Sequence, residues 1–210
     1  MRGIKRSKGT AQRQAKPLLK EDLFAVLERM GDRPKDIRDK ALLLLGFAGG
    51  FRRSELIGLD VEDIEFVRQG MIVTLRRSKT DQEGAGRRIG VPFGRTRWCP
   101  VKALEAWLQA AGITDGALFL VLDRHSQMKA KRLSGEAVSI ILKERLRQAA
   151  LDPAHYSGHS LRAGFATSAA MAGASILKIR EQTGHATDAM LARYIREGDI
   201  FTDNASSAVL

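Results

Sequence analysis

The sequence predicts an α+β domain that is mainly helical and carries one small antiparallel β-hairpin or sheet. Three observations lead there. Apolar residues recur at helical spacing through most of the 210 residues. Gly and Pro break that pattern into helix-length pieces. Two short segments, residues 71–75 and 87–91, read as strands closed by a polar, glycine-bearing stretch at 78–86, a basic β-hairpin. The length leaves room for one large domain or one and a half at about 150 residues per domain, and 44% hydrophobic residues suffice for a core.

The longest apolar run, residues 41–48, is far shorter than the roughly 20 residues of a membrane span. No charged-then-apolar leader opens the chain, and Cys99 stands alone, so an internal disulfide is excluded. These features predict a cytoplasmic protein with no membrane partner.

In chain order, residues 1–20 mix Gly, Gln and basic side chains without apolar periodicity and read as a basic arm or linker; the folded domain is expected to begin near Pro17. Leu23, Val26, Leu27 and Met30 share a helical face behind an acidic first turn, giving a helix that ends near Gly31. Pro34 opens a nearly all-apolar helix stopped by Gly49 and Gly50. Residues 53–59 read as a short helix, followed by the hairpin. Pro100 starts another helix, ended at Gly112. Residues 117–122 are too short and apolar to assign. Ser134 caps an amphipathic helix to about Ala150. Helices over 160–172, 175–183 and 187–195 follow, separated by glycines and each opened by a Ser or Thr suited to capping.

The charge is +11, from 35 Lys and Arg against 24 Asp and Glu, and it is unevenly spread. Residues 1–20 hold seven basic and no acidic groups, residues 68–103 nine against two, and residues 104–210 twelve against eleven. Basic segments of this kind suit a polyanion, and nucleic acid is the expected partner.

The candidate chemistry lies mostly in the nearly neutral half. His155 and His159 stand four apart, but Pro153 and Gly158 argue against a shared helical face and no further ligand follows at metal spacing, so no metal site is expected. His159 and Arg162 stand three apart where a helix begins, a place suited to a phosphate. Arg52 follows the double-glycine break, Lys79 sits at the hairpin turn, and His185 follows Gly184. Tyr194 lies nine residues after His185, with Arg193 and Arg196 beside it. A phenol of pKa about 10 attacks a phosphate only where cations stabilise its anion.

Taken together, Gly50-Phe51-Arg52-Arg53-Ser54-Glu55-Leu56, Arg77-Ser78-Lys79-Thr80, His159-Ser160-Leu161-Arg162, Thr183-Gly184-His185 and Ala192-Arg193-Tyr194 resemble the tyrosine recombinase, or phage-type integrase, family. The resemblance runs from about residue 17 to 195. It implies that family's catalytic-domain fold, with Arg52 and Arg162 as an arginine clamp, Lys79 as the hairpin lysine, His159 and His185 as the two histidines, Tyr194 as the nucleophile and Glu55 in a supporting acidic role. The arginine three before Glu55 is the one that matches, which leaves Arg53 with Arg76, Arg77, Arg87 and Arg88 as DNA contacts.

The resemblance further implies DNA strand breakage and rejoining through a 3′-phosphotyrosyl intermediate, with neither metal nor other cofactor, arginines taking the charge that Mg²⁺ meets elsewhere. The partner would be double-stranded DNA with specific recombination sites, bound by a homo-tetramer that is monomeric when isolated. The expected division is a basic linker at 1–20, a catalytic domain at 21–196 and a tail at 197–210 that docks on a neighbouring subunit, without the N-terminal helical domain usual in the family. Two other readings are a type IB topoisomerase that relaxes supercoils and a non-enzymatic DNA-binding module. The module accounts for the basic patches but not for Arg162, His185 and Tyr194 occurring together.

Overall fold

A computed structural model of the chain describes residues 15–76, 86–189, 191, 192 and 194. Helix α1 (Lys20–Glu28) carries Glu21 and Asp22 in its first turn and buries Leu23, Val26 and Leu27. Helix α2 (Pro34–Ala48) opens on Pro34 and sinks Ala41 through Gly46 into the core. Helix α3 (Arg53–Gly58) follows at once. An antiparallel sheet comes next, in the order β1 (Ile64–Val67), β2 (Gly70–Leu75), β3 (Arg87–Pro92). Helix α4 (Pro100–Ala111) ends at Gly112 in the left-handed conformation. A two-stranded ribbon, β4 (Leu120–Leu122) with β5 (Met128–Arg132), precedes α5 (Gly135–Gln148), whose cap Ser134 accepts from the Ala137 N–H. Helices α6 (Ser160–Met171) and α7 (Ile176–Thr183) complete the regular elements, and residues 188, 189, 191, 192 and 194 are helical.

Three elements depart from sequence expectation. Strand β1 is only four residues long and half exposed, so it has no apolar alternation to announce it. Strand β5 reads Met-Lys-Ala-Lys-Arg and is almost wholly solvent-facing; it forms because pairing with β4 satisfies its backbone, not because it buries apolar surface. Its pairing also settles residues 120–122 as a strand. Helix α6 is not capped by its serine: His159 holds the cap position without a side-chain bond, while the Ser160 hydroxyl, one residue inside, accepts from the Ser157 N–H at 3.0 Å.

The core is built around α2, which packs along α4 and against α6. Phe51, Trp107 and Phe119 are among its largest buried side chains, and the Trp107 indole donates to the Leu118 carbonyl at 2.9 Å. A buried ionic cluster ties α2 to α5. Asp39, fully buried, accepts from Arg38 at 2.8 and 2.9 Å and from Arg145 at 2.6 and 2.9 Å, and Asp36 pairs with Arg145 at 2.6 Å. The incoming segment is fastened to α6, with fully buried Leu18 donating its N–H to the Ser160 carbonyl at 2.9 Å. The N-terminus of α6 sits beside the C-terminal end of α2, where Arg162 donates to the Gly50 carbonyl at 2.8 Å. Among the described residues no helix is long and apolar enough to cross a membrane.

Candidate active site

The site begins where α2 stops. Gly50 turns the chain with φ of +58°, and a Cβ there would stand 2.9 Å from the Thr183 methyl and 3.0 Å from the Phe165 ring. Glycine therefore meets both needs, the left-handed backbone and the close approach. The turn delivers Arg52 to the cap of α3. One turn on, the buried Glu55 carboxylate accepts from the Arg52 backbone N–H at 2.8 Å and from Nη1 at 2.5 Å. Arg52 Nη2 donates to the Gly184 carbonyl at 3.1 Å. Two of these bonds aim the guanidinium, and the third fixes the backbone that carries it.

Arg162 lies on the first turn of α6 and is only 2% exposed. Its Nη1 donates to the Gly50 carbonyl at 2.8 Å and to the Thr183 carbonyl. Burial, then the nearby Arg52 charge, pushes its pKa down to about 10, with Glu55 opposing. It remains protonated at neutral pH. The Tyr194 phenol is among the groups that favour its charged form. His159, at the cap of the same helix, is surface-exposed on one side. Crowding by protein atoms, then the charges of Arg162, Arg53 and Arg52, hold it below the usual histidine value.

Helix α7 brings the last pieces. It ends at Gly184, φ +66°, after which His185 turns back toward Arg162. The Thr183 hydroxyl donates to the Ile179 carbonyl at 2.6 Å and lies 2.7 Å from His185 Nδ1. A hydroxyl has one proton, and a carbonyl can only accept, so His185 donates through Nδ1–H and its Nε2 is the nitrogen left for the site. Burial, followed by the charges of Arg162 and Arg52, pushes the His185 pKa down to about 4. The ring is therefore neutral at pH 7. The Tyr194 ring lies 6.0 Å from it, centroid to centroid and tilted by 43°, and packs on the small cluster of Ala166, Ile179 and Leu191.

The structure thus brings Arg52, Glu55, His159, Arg162, His185 and Tyr194 to one place. Of the arginines expected to contact DNA, exposed Arg53 lies over Gly158 and donates to Ser139 Oγ at 3.3 Å. Arg76 is engaged by Asp63 at 2.5 Å and Asp60 at 3.7 Å, and Arg88 pairs with Glu65 at 3.0 Å. Arg87 instead turns inward to the site, with Nη2 3.7 Å from Glu55 Oε2. Lys79 and Arg77 lie outside the described residues. Sequence reasoning missed the inward turn of Arg87 and the part played by Thr183; in a run reading Gly-Arg-Arg only the strand register tells which arginine faces in. Among the described residues no group of three or more His, Cys, Asp or Glu could hold a metal ion.

The chain is similar in sequence and in fold to known proteins. The chain is 42% identical over 207 residues to an integrase/recombinase xerD homolog from Selenomonas ruminantium, covering 98% of this chain and 61% of that protein. It is 32% identical over 184 residues to tyrosine recombinase XerC from Shewanella sp. (strain W3-18-1), covering 84% and 55%. The chain therefore spans roughly three-fifths of the length of these relatives. In fold it is similar to XerH site-specific recombinase in a post-cleavage complex with a palindromic difH substrate, with a TM-score of 0.70 at 16% identity over 94% of this chain and 56% of that one. The catalytic domain of bacteriophage HP1 integrase matches with a TM-score of 0.57 at 19% identity, covering 92% of this chain and 95% of that domain. The sequence profile of the phage integrase family matches residues 16–199, a span that holds every residue of the cluster just described, and the chain belongs to that family.

Proposed function

We propose that the chain cuts and rejoins DNA strands by phosphoryl transfer through a 3′-phosphotyrosyl intermediate, as the catalytic part of a site-specific recombinase. The observation that carries this reading is the convergence of two carbonyl-anchored guanidiniums, Arg52 and Arg162, with His185 and the Tyr194 phenol. Guanidiniums fixed before the substrate arrives need no reorganisation when charge develops on the non-bridging oxygens. The names of the similar proteins, recombinases and integrases, support the same activity.

In this reading Arg52 and Arg162 hold the non-bridging oxygens. Tyr194 Oη forms a bond to phosphorus as the bond to the 5′-oxygen breaks. The phenol loses its proton with the assistance of His159, and the leaving 5′-oxygen takes one from Lys79. His185 joins the arginines once the phosphate's negative charge raises its proton affinity and turns Nε2 into a donor. Religation is the same step reversed by another strand's 5′-hydroxyl, so the bond energy is conserved. The working form is a homo-tetramer on paired double-stranded sites, with residues 1–20 as a basic arm, 21–196 as the catalytic unit and 197–210 as the contact to a neighbouring subunit.

The test is Tyr194→Phe on a nicked suicide duplex. The wild type is expected to form a denaturation-resistant protein–DNA adduct, and the variant to bind DNA without forming one. An adduct from the Phe variant would show that Tyr194 is not the nucleophile.

A further inference from the structure

Arg87 opens β3, opposite Leu75 in the ladder, and its guanidinium folds inward. Nη2 lies 3.7 Å from Glu55 Oε2, an ionic contact too long for a hydrogen bond. Nη1 sits so close to Gly184 that any Cβ there would overlap it. The Nε and Nη2 groups are buried and have no acceptor. The buried arginines elsewhere in the described residues differ in this respect: Arg38 and Arg145 rest on Asp39, and Arg162 on the Gly50 and Thr183 carbonyls. Leaving a charged donor unmet is the costly side of hydrogen bonding.

The local charge balance points the same way. Both Glu55 oxygens are already taken by Arg52, so one carboxylate faces the guanidiniums of Arg52, Arg87 and Arg162. Burial, then the Arg52 charge against the opposing pull of Glu55, lowers the proton affinity of Arg87. A group so placed is short of an anion.

We propose that Arg87 is a further catalytic residue, a third guanidinium whose free Nε–H and Nη2–H donate to a non-bridging oxygen of the scissile phosphate. The proposal rests on the phosphoryl-transfer reading above and deepens it. Arg87 makes no covalent bond and moves no proton. The phosphodiester carries one negative charge at rest and gains a second as the Tyr194 oxygen adds, and Arg87 is the partner of that second charge. The planar fork matters, because two N–H groups on one side of a guanidinium meet a phosphate in a way that a lysine ammonium cannot.

The experiment is single-turnover cleavage at saturating DNA, on a nicked duplex carrying the cleavage site mapped with the wild type. It is run with an ordinary scissile phosphodiester and with a methylphosphonate in its place, which lacks one charged oxygen. Arg87→Ala is expected to cleave the phosphodiester about 10²-fold more slowly than wild type, and Arg87→Lys to recover only part of that loss. On the methylphosphonate the deficit of Arg87→Ala should shrink to within about threefold, because the charge it would partner is gone. An equal deficit on both substrates would overturn the proposal and assign Arg87 a structural part. So would full cleavage at saturation combined with weaker binding and a salt slope lowered by about 0.9, the mark of an ordinary backbone contact. If Arg87→Ala fails to fold, Arg87→Gln and Arg87→Lys carry the same two-substrate comparison. A wild type that forms no adduct overturns the phosphoryl-transfer reading itself, whereas an active wild type with an equally active Arg87→Ala overturns this proposal alone.

Discussion

Replacing Glu55 by Gln neutralises the carboxylate that pairs with Arg52 and Arg87 and opposes the charge around Arg162, while keeping its shape. Glu55 is 7% exposed and receives Arg52 through Nη1 at 2.5 Å and the backbone N–H at 2.8 Å, with Arg87 Nη2 at 3.7 Å. At an effective dielectric of about 20, a unit charge pair at that last distance is worth about 4 kcal/mol before desolvation. Breaking a buried pair by neutralising one partner costs roughly 3–5 kcal/mol. The Arg52 and Arg87 side chains each retain 22% exposure, and Gln keeps one acceptor oxygen, so the lower end applies: a loss of about 3 kcal/mol. In a domain of this size that lowers the melting temperature by roughly 6–12 °C.

The same variant leaves three cations facing one another, so an oxyanion should stabilise it more than it stabilises the wild type. Urea unfolding followed by circular dichroism, in chloride and in sulfate at matched ionic strength, measures both effects. Glu55→Gln within about 0.5 kcal/mol of wild type, or a sulfate gain no larger than the wild type's, would refute the picture of a carboxylate restraining a guanidinium cluster.

Other outcomes follow from neighbouring contacts. Thr183→Val removes the acceptor of the His185 Nδ1 proton, and should slow cleavage at pH 7.5 by about 10-fold to 100-fold and give a mixed imidazole tautomer in ¹⁵N spectra; Thr183→Ser should restore both. Because the folded His185 pKa is about 4 against an ordinary value of 6.5, the unfolded chain takes up a proton first as pH falls. Stability is then level above pH 6.5 and drops between about 6.5 and 4, by about 1 kcal/mol once the ring's partial exposure is allowed for, and His185→Asn should flatten that part of a urea-midpoint profile. Asp39→Ala takes the carboxylate partner of buried Arg38 and leaves Arg145 with Asp36 alone, and should cost about 3–5 kcal/mol in urea unfolding, without altering the cleavage rate of the folded fraction at saturating DNA.

Much of the helical framework was legible in the chain. Pro34 with the paired glycines at 49 and 50, Pro100 with Gly112, and Ser134 each mark an end by backbone chemistry that acts within a few residues. The strands β1 and β5 were not legible, since neither buries an apolar face and each depends on a partner strand. At the site, the ordered motifs pointed to Arg52, Glu55, His159, Arg162, His185 and Tyr194, and the fold collects these six within a few side chains of one another. Motif order, however, is silent on what each side chain touches.

Local sequence was therefore enough for the family, the helices and a short roster of charged and phenolic residues, because periodicity, capping and motif spacing act over a few residues. Contacts between distant segments settled the rest. The register of β3 against β2 turns Arg87 inward and Arg88 toward Glu65, although the two stand side by side in sequence. The ends of α2 and α7 supply the carbonyls that aim Arg162, and the Thr183 hydroxyl decides which nitrogen of His185 faces the site. Direction, protonation and burial belong to groups brought together by folding, and those three properties distinguish the cations that face the cluster from those that face solvent.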